Sequence, residues 1–236
     1  MCEMDLLARI RAKARYAKQL CGYRLRSTFW SVRNLVTTLP ARRLYDVERT
    51  YWVNPARIRM AAGERAPDRL NPAWRAPVPP WIDKGKIVSG DWDLGLIPFE
   101  ELDVWEAFED RFVRGRPWQE TSFYRRVLRI IEGGIPLWSC RTRERLDARM
   151  VELDKVFGDI KANGYRTQRE LNELNPYGYE DEVQVHIGRD GDYIFADGRH
   201  RLCIAKILQL DRIPVKVLRR HALWVALRRE ILAYLQ

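Results

Sequence analysis

Cysteine is scarce in this chain and poorly placed for metal or disulfide chemistry. Cys2, Cys21, Cys140 and Cys203 lie far apart and show no C-x-x-C spacing, which argues against a zinc site or a disulfide framework and makes a reducing compartment the default. Long apolar runs are missing too: nothing approaches the roughly 20 residues that span a bilayer. Arg9, Arg11, Lys13 and Arg15 interrupt any signal-peptide core, so a cytoplasmic protein is expected. There is no internal repeat and no low-complexity tract. Acidic residues are nearly absent from the N-terminal region, where only Glu3 and Asp5 precede Pro40.

That deficit leaves a basic chain. Forty-two Lys and Arg against 32 Asp and Glu give a net charge of +10, which points to an anionic partner: a nucleotide, nucleic acid or lipid headgroups. The length of 236 residues allows one good-sized core or two small ones. With 46% hydrophobic and 31% charged residues the composition is that of a folded globular protein, not a disordered one. Residues 4–38 read as two basic amphipathic helices, with Leu7, Ile10, Ala14, Ala17 and Cys21 on one stripe and Leu25, Phe29, Trp30 and Leu35 on the next. Such an arm (1–45) either packs on the main domain with its arginines in water, or lies on an anionic membrane surface or nucleic acid.

Tyr51 to Val53, ahead of Asn54-Pro55, has the character of a short strand. Five prolines between residues 63 and 85 predict an extended loop pinned by Trp74 and Trp81. The loop ends in Ser89-Gly90-Asp91-Trp92-Asp93, where the two carboxylates either share a pocket, holding a metal or a hydroxyl, or form a turn anchored by Trp92. Apolar spacing then predicts two helices between Phe99 and Gly134, the second starting at Pro117, and a third from about Arg143 to Asn163 stopped by Gly164. Thr167 to Glu170 matches a capping box that opens a short helix through Leu174.

The densest pattern lies between Asp181 and His221. Val183, Val185 and Ile187 alternate as in a half-buried strand, Asp190-Gly191 predicts a hairpin turn, and Tyr193 to Ala196 reads as the returning strand. Asp197-Gly198-Arg199-His200-Arg201 follows at once, then an apolar helix pattern to Leu210, a strand from Ile213 to Leu218 and a last helix from His221 to Leu235. Glycine permits a sharp strand-to-helix turn and a close approach of other groups. A helix start also presents unpaired N–H groups and a positive dipole end. With Arg199, His200 and Arg201 on that first turn, the segment is either an anion site or a solvated helix start whose arginines pair with nearby acids.

The order of these elements resembles the ParB/sulfiredoxin-like superfamily, also called the ParB-like nuclease domain. Asp159 to Gly164 stands where that family has a helix ending in glycine, Gly198-Arg199-His200-Arg201 where it has Gly-x-x-Arg at a helix start, and Ile213-Pro214-Val215 where it has a closing I-P-V strand. The likeness covers about seventy residues, and Tyr51 to Ile58 could supply the opening strand. It implies an α+β fold with a small mixed sheet over residues 46–221, a large helical insertion at about 60–150, a helical N-terminal arm and a C-terminal helix at 222–236.

Partition proteins of this superfamily bind a cytidine nucleotide here and carry DNA-binding helices downstream. With only about fifteen residues after His221 in this sequence, such helices are not expected. Sulfiredoxin needs a cysteine just before its His-Arg, where this chain has Arg199. The archaeal free-serine kinases, with Asp-Gly-His-His-Arg, are the branch whose motif is most similar. That resemblance implies Asp197 at Mg²⁺ or substrate, and Gly198, Arg199, His200 and Arg201 at the phosphates of ATP, ADP or CTP. A carboxylate base is also implied: Glu64 by its order after the strand, Asp91 or Asp93 by chemistry. The expected function is a nucleotide-dependent phosphotransferase acting on a small hydroxyl compound. A nucleotide-binding switch without chemistry and a DNA-binding or nuclease-type protein are the alternatives.

Overall fold

The computed structural model describes residues 49–61, 85–138, 140–171 and 182–235. All of them belong to the unit Val47–Gln236, one of two into which the chain divides. The basic arm, the proline-rich stretch with Glu64, Trp74 and Trp81, and positions 172–174 of the short helix lie outside the described residues.

The fold is α+β, with an open mixed sheet of seven strands and six α-helices among the described residues. The strands are β1 (Thr50–Val53), β2 (Ile58–Ala61), β3 (Lys86–Val88), β4 (Ile97–Pro98), β5 (Val183–Ile187), β6 (Tyr193–Asp197) and β7 (Ile213–His221). The helices are α1 (Asp103–Phe112), α2 (Ser122–Glu132), α3 (Arg143–Asn163), α4 (Gln168–Leu171), α5 (Arg199–Ile207) and α6 (Ala222–Tyr234). The sheet runs β1-β7-β5-β6-β2-β4. β7 is long enough to pair along one edge with β1 through Ile213–Lys216 and then with β3 through Arg219–His221.

The period-2 pattern at Val183, Val185 and Ile187 does form a strand, antiparallel to β6 across the Asp190-Gly191 turn and parallel to β7. Val183, Val185, Phe195, Val215 and Val217 bury their side chains in one core with Leu202 and Ile204 of α5, Phe108 of α1, Phe123 of α2 and Met150 of α3. The stretch at about 60–150, where the resemblance leads one to expect a helical insertion, is not purely helical among its described residues. It contributes β3 and β4, whose two or three residues carry no periodicity and owe their extended state to pairing with β7 and β2. Nor does α2 begin at Pro117. A single 3₁₀ turn, Trp118–Glu120, follows that proline, and Thr121 caps the helix by accepting from the Tyr124 N–H at 3.1 Å.

α3 spans the predicted residues and stops at Gly164, whose φ of 77° an L-residue adopts at a cost. The capping box is formed in both directions: Thr167 N donates to Glu170 Oε2 at 2.7 Å, and Glu170 N donates to Thr167 Oγ1 at 3.2 Å. β7 continues to His221, three residues beyond the predicted end, because β3 extends its ladder. No helix among the described residues is long and apolar enough to cross a membrane.

Candidate functional site at the strand-to-helix turn

β6 ends at Asp197, and the chain enters α5 through Gly198 at φ 86° and ψ 31°. The Asp197 carboxylate accepts from the Gly198 N–H at 2.7 Å and holds the turn. A Cβ at Gly198 would fall 2.9 Å from the Cα of Val183, so glycine is required both for the left-handed backbone and for seating the turn against the start of β5. Leu202 makes the first intrahelical bond, to the Gly198 carbonyl at 3.1 Å. The N–H groups of the turn before it point out of the helix end, as an anion site requires.

The three donors expected to act together do not share a face, because consecutive helical residues are about 100° apart. Arg199 faces the Asp103–Arg126 pair that joins α1 to α2; burial draws its pKa down to about 10, opposed by Asp197. It remains a cation at neutral pH. His200 lies in an aromatic box, stacked on Phe108 at 5.7 Å and met edge-on by Phe123 and Trp138. Burial, reinforced by the charges of Arg199, Arg149 and Arg201, pushes its pKa down to about 3. The imidazole is therefore neutral, and its buried Nε2 has no hydrogen-bond partner among the described residues. It offers a lone pair or an N–H to a ligand, not a charge.

Arg201 turns to a third side, where it donates to Gln168 Oε1 at 2.6 Å. Gln168, the first residue of α4, is buried and donates its own backbone N–H to Glu182 Oε1 at 2.6 Å. Glu182 is 2% exposed, and its Oε2 has no partner among the described residues. Burial raises its pKa to about 7, against the pull of the Gln168 N–H, Arg201 and Lys216. The hydroxyl of Tyr165 is buried beside the same charges, and burial pushes its pKa up. Glu182 was missed in the sequence. The only signal was an acid directly before a strand, and its importance depends on Gln168 and Arg201, brought to it from α4 and α5.

Asp91 and Asp93 are brought together, but at the other end of the β5–β6 hairpin. Asp93 accepts from the Arg189 backbone N–H at 2.7 Å and from its guanidinium at 2.8 and 3.1 Å, and the same guanidinium reaches Asp91 at 2.8 Å. Burial opposes the charge on Asp93, but these bonds hold its carboxyl below the ordinary range. Trp92 packs under Arg219, whose guanidinium lies 4.1 Å from the ring centroid, and against His186 and His221. His221 donates from Nε2 to the Gly90 carbonyl at 2.8 Å and caps α6 by accepting from Leu223 N at Nδ1. The cluster is a clasp that fastens the 89–95 loop to the hairpin tip. A five-residue strand separates it from Gly198, roughly 17 Å at the usual rise per residue. Neither carboxylate reaches the turn.

Asp93→Ala is expected to release that clasp. Amide exchange at Arg189 and across Gly90–Leu94 should rise about tenfold, the equivalent of losing one hydrogen bond to a charged group. Exchange in α5 should stay unchanged.

Among the described residues no group of three or more His, Cys, Asp or Glu side chains could hold a metal ion. Asp197 is exposed, with one oxygen committed to the turn. A single carboxylate of this kind fits Mg²⁺ that is carried mainly by phosphate oxygens and water, not a protein cage. Cys203 is buried in the core and its thiol is pushed up by burial, so it has no nucleophilic character. No protein-family model, curated protein or solved structure matches this chain.

Proposed function

We propose that the chain is a nucleotide-dependent phosphotransferase of ParB/sulfiredoxin-like fold, acting on a small hydroxyl compound. The observation that carries the proposal is the glycine-started helix end at Gly198, flanked by the Arg201 cation and a buried carboxyl. Anionic oxygens are stabilised at such a helix start by N–H donors and by the dipole. Arg201, oriented by Gln168, supplies charge on one side. Arg199, held near Asp103, supplies it on another. His200 contributes shape and one neutral polar nitrogen. Asp197 would hold Mg²⁺ together with the nucleotide, and the ion would supply neutralisation of phosphoryl charge. With little covalent chemistry for the protein to perform, positioning and electrostatic stabilisation account for the catalysis.

A nucleotide-binding switch without transfer is the second reading, favoured by the separation of Asp91 and Asp93 from the turn. One experiment divides the two. ATP, ADP and CTP are titrated with Mg²⁺, and each is then incubated in labelled form with candidate hydroxyl compounds. Saturable binding is expected, weakened at least about tenfold in Arg201→Ala by loss of a charge-assisted contact. Transfer of label supports the phosphotransferase. Binding without transfer supports the switch, and no binding of any of the three overturns both.

A further inference from the structure

We infer that Glu182 takes the hydroxyl proton at this site, through its Oε2, a role that rests on the phosphotransferase reading above. The substrate class is thereby narrowed to compounds that bring a hydroxyl group beside the phosphate position at the start of α5.

Three observations converge on this carboxyl. Its position is fixed: Val183, the next residue, packs its Cα against Gly198, so the carboxyl-bearing residue and the anion-binding turn are parts of one rigid contact. Its orientation is fixed: Oε1 is held by the Gln168 N–H at 2.6 Å, and Gln168 in turn holds Arg201, tying the acid and the cation through one side chain. Its second oxygen is unused: Oε2 is buried and has no partner among the described residues, although buried acceptors are nearly always paired. An acceptor kept bare in this way is suited to a ligand donor.

The charged and titratable groups that face it are Arg201 from α5, Lys216 from β7, Glu170 from α4 and Tyr165 between α3 and α4. The two cations keep the carboxyl ionisable despite its burial. Its pKa of about 7 matches a general base at physiological pH, where neither protonation state is scarce. None of Asp91, Asp93 and Asp197 offers this combination. The first two are neutralised by Arg189, and Asp197 is exposed and committed to the turn.

In the step itself the substrate hydroxyl oxygen bonds to the terminal phosphorus of the nucleotide. The bridging P–O bond breaks, its electron pair stays with the shortened nucleotide, and the hydroxyl proton passes to Glu182 Oε2. That proton is later released to solvent.

The test combines Glu182→Gln, which preserves shape and the Gln168 contact, with a carboxyl ¹³C titration of the wild-type protein. The expected titration inflexion for Glu182 lies near 7. In the variant, nucleotide affinity should stay within about threefold while transfer falls at least about 100-fold. The rise of wild-type kcat/KM with pH through the same inflexion should vanish. A variant that retains both transfer and the pH inflexion overturns the inference and leaves the phosphotransferase standing. A Glu182 that titrates in the ordinary carboxyl range overturns it too, and that measurement needs only the wild-type protein. Absence of transfer by the wild type overturns the phosphotransferase itself and the proton-acceptor role with it.

Discussion

Gly198→Ala is expected to lower the free energy of unfolding by about 3 kcal/mol, combining left-handed backbone strain with overpacking. The backbone contribution follows from φ 86°, which places any Cβ against its own following carbonyl. The packing contribution follows from the 2.9 Å approach to the Val183 Cα, a main-chain atom in the middle of the sheet that cannot rotate away. Gly95→Ala is the control. Its φ is 64°, but nothing lies within 4 Å of the added carbon, so only the strain of about 1–2 kcal/mol remains. Urea unfolding of the two variants separates the contributions. Equal losses would mean that β5 yields freely at Val183, and that the close fit of the turn against the strand is not needed for folding.

Local rules made much of this hairpin legible. Alternation at Val183, Val185 and Ile187, the Asp190-Gly191 turn and the Thr167–Glu170 capping box each depend on residues within a few positions of one another. The structure forms all three. α3 was equally legible, since its apolar spacing and its stop at Gly164 lie within one element. What escaped the sequence depends on partners far along the chain. β3 and β4 are too short to carry a period and exist because β7 and β2 offer them an edge. Asp93 looks like a free carboxylate until Arg189, 96 residues later, closes on it. His200 reads as one of three donors on the turn, yet burial against Phe108, Phe123 and Trp138 keeps it neutral. Glu182 had only its place directly before a strand as a local mark. Residues far from the motif in sequence thus decide the charge state of one motif residue.

Buried ionisable groups make the stability strongly dependent on pH, and Glu182→Gln is expected to change that dependence in a defined way. His186 and His200 are both depressed to about 3 by burial, His186 also by Arg219 and His200 by its neighbouring arginines. The unfolded chain protonates them near 6.5 while the folded protein does not, so their contribution is present above 6.5 and is lost as pH falls toward 3. Glu182 has the opposite sign. Its folded pKa of about 7 lies above the ordinary 4.5, so the folded state holds a proton that the unfolded chain releases. Its contribution is greatest below 4.5 and declines as pH rises to 7. Between 4.5 and 6.5 the unfolded state therefore gains two protons at the histidines, while the folded state keeps one at Glu182. The wild-type protein should lose about 1.4 kcal/mol per pH unit on acidification from these three groups, and Glu182→Gln about 2.7. The two proteins should be equally stable near pH 4.5. At pH 8 the variant should be the more stable by about 3 kcal/mol, the full cost of ionising a carboxyl shifted by this much. Urea unfolding at half-unit pH intervals checks the pattern. Parallel curves would mean that Glu182 titrates alike in both states, leaving its bare oxygen without electrostatic consequence. Diverging curves would show that the fold itself carries the cost of keeping an ionisable carboxyl beside Arg201.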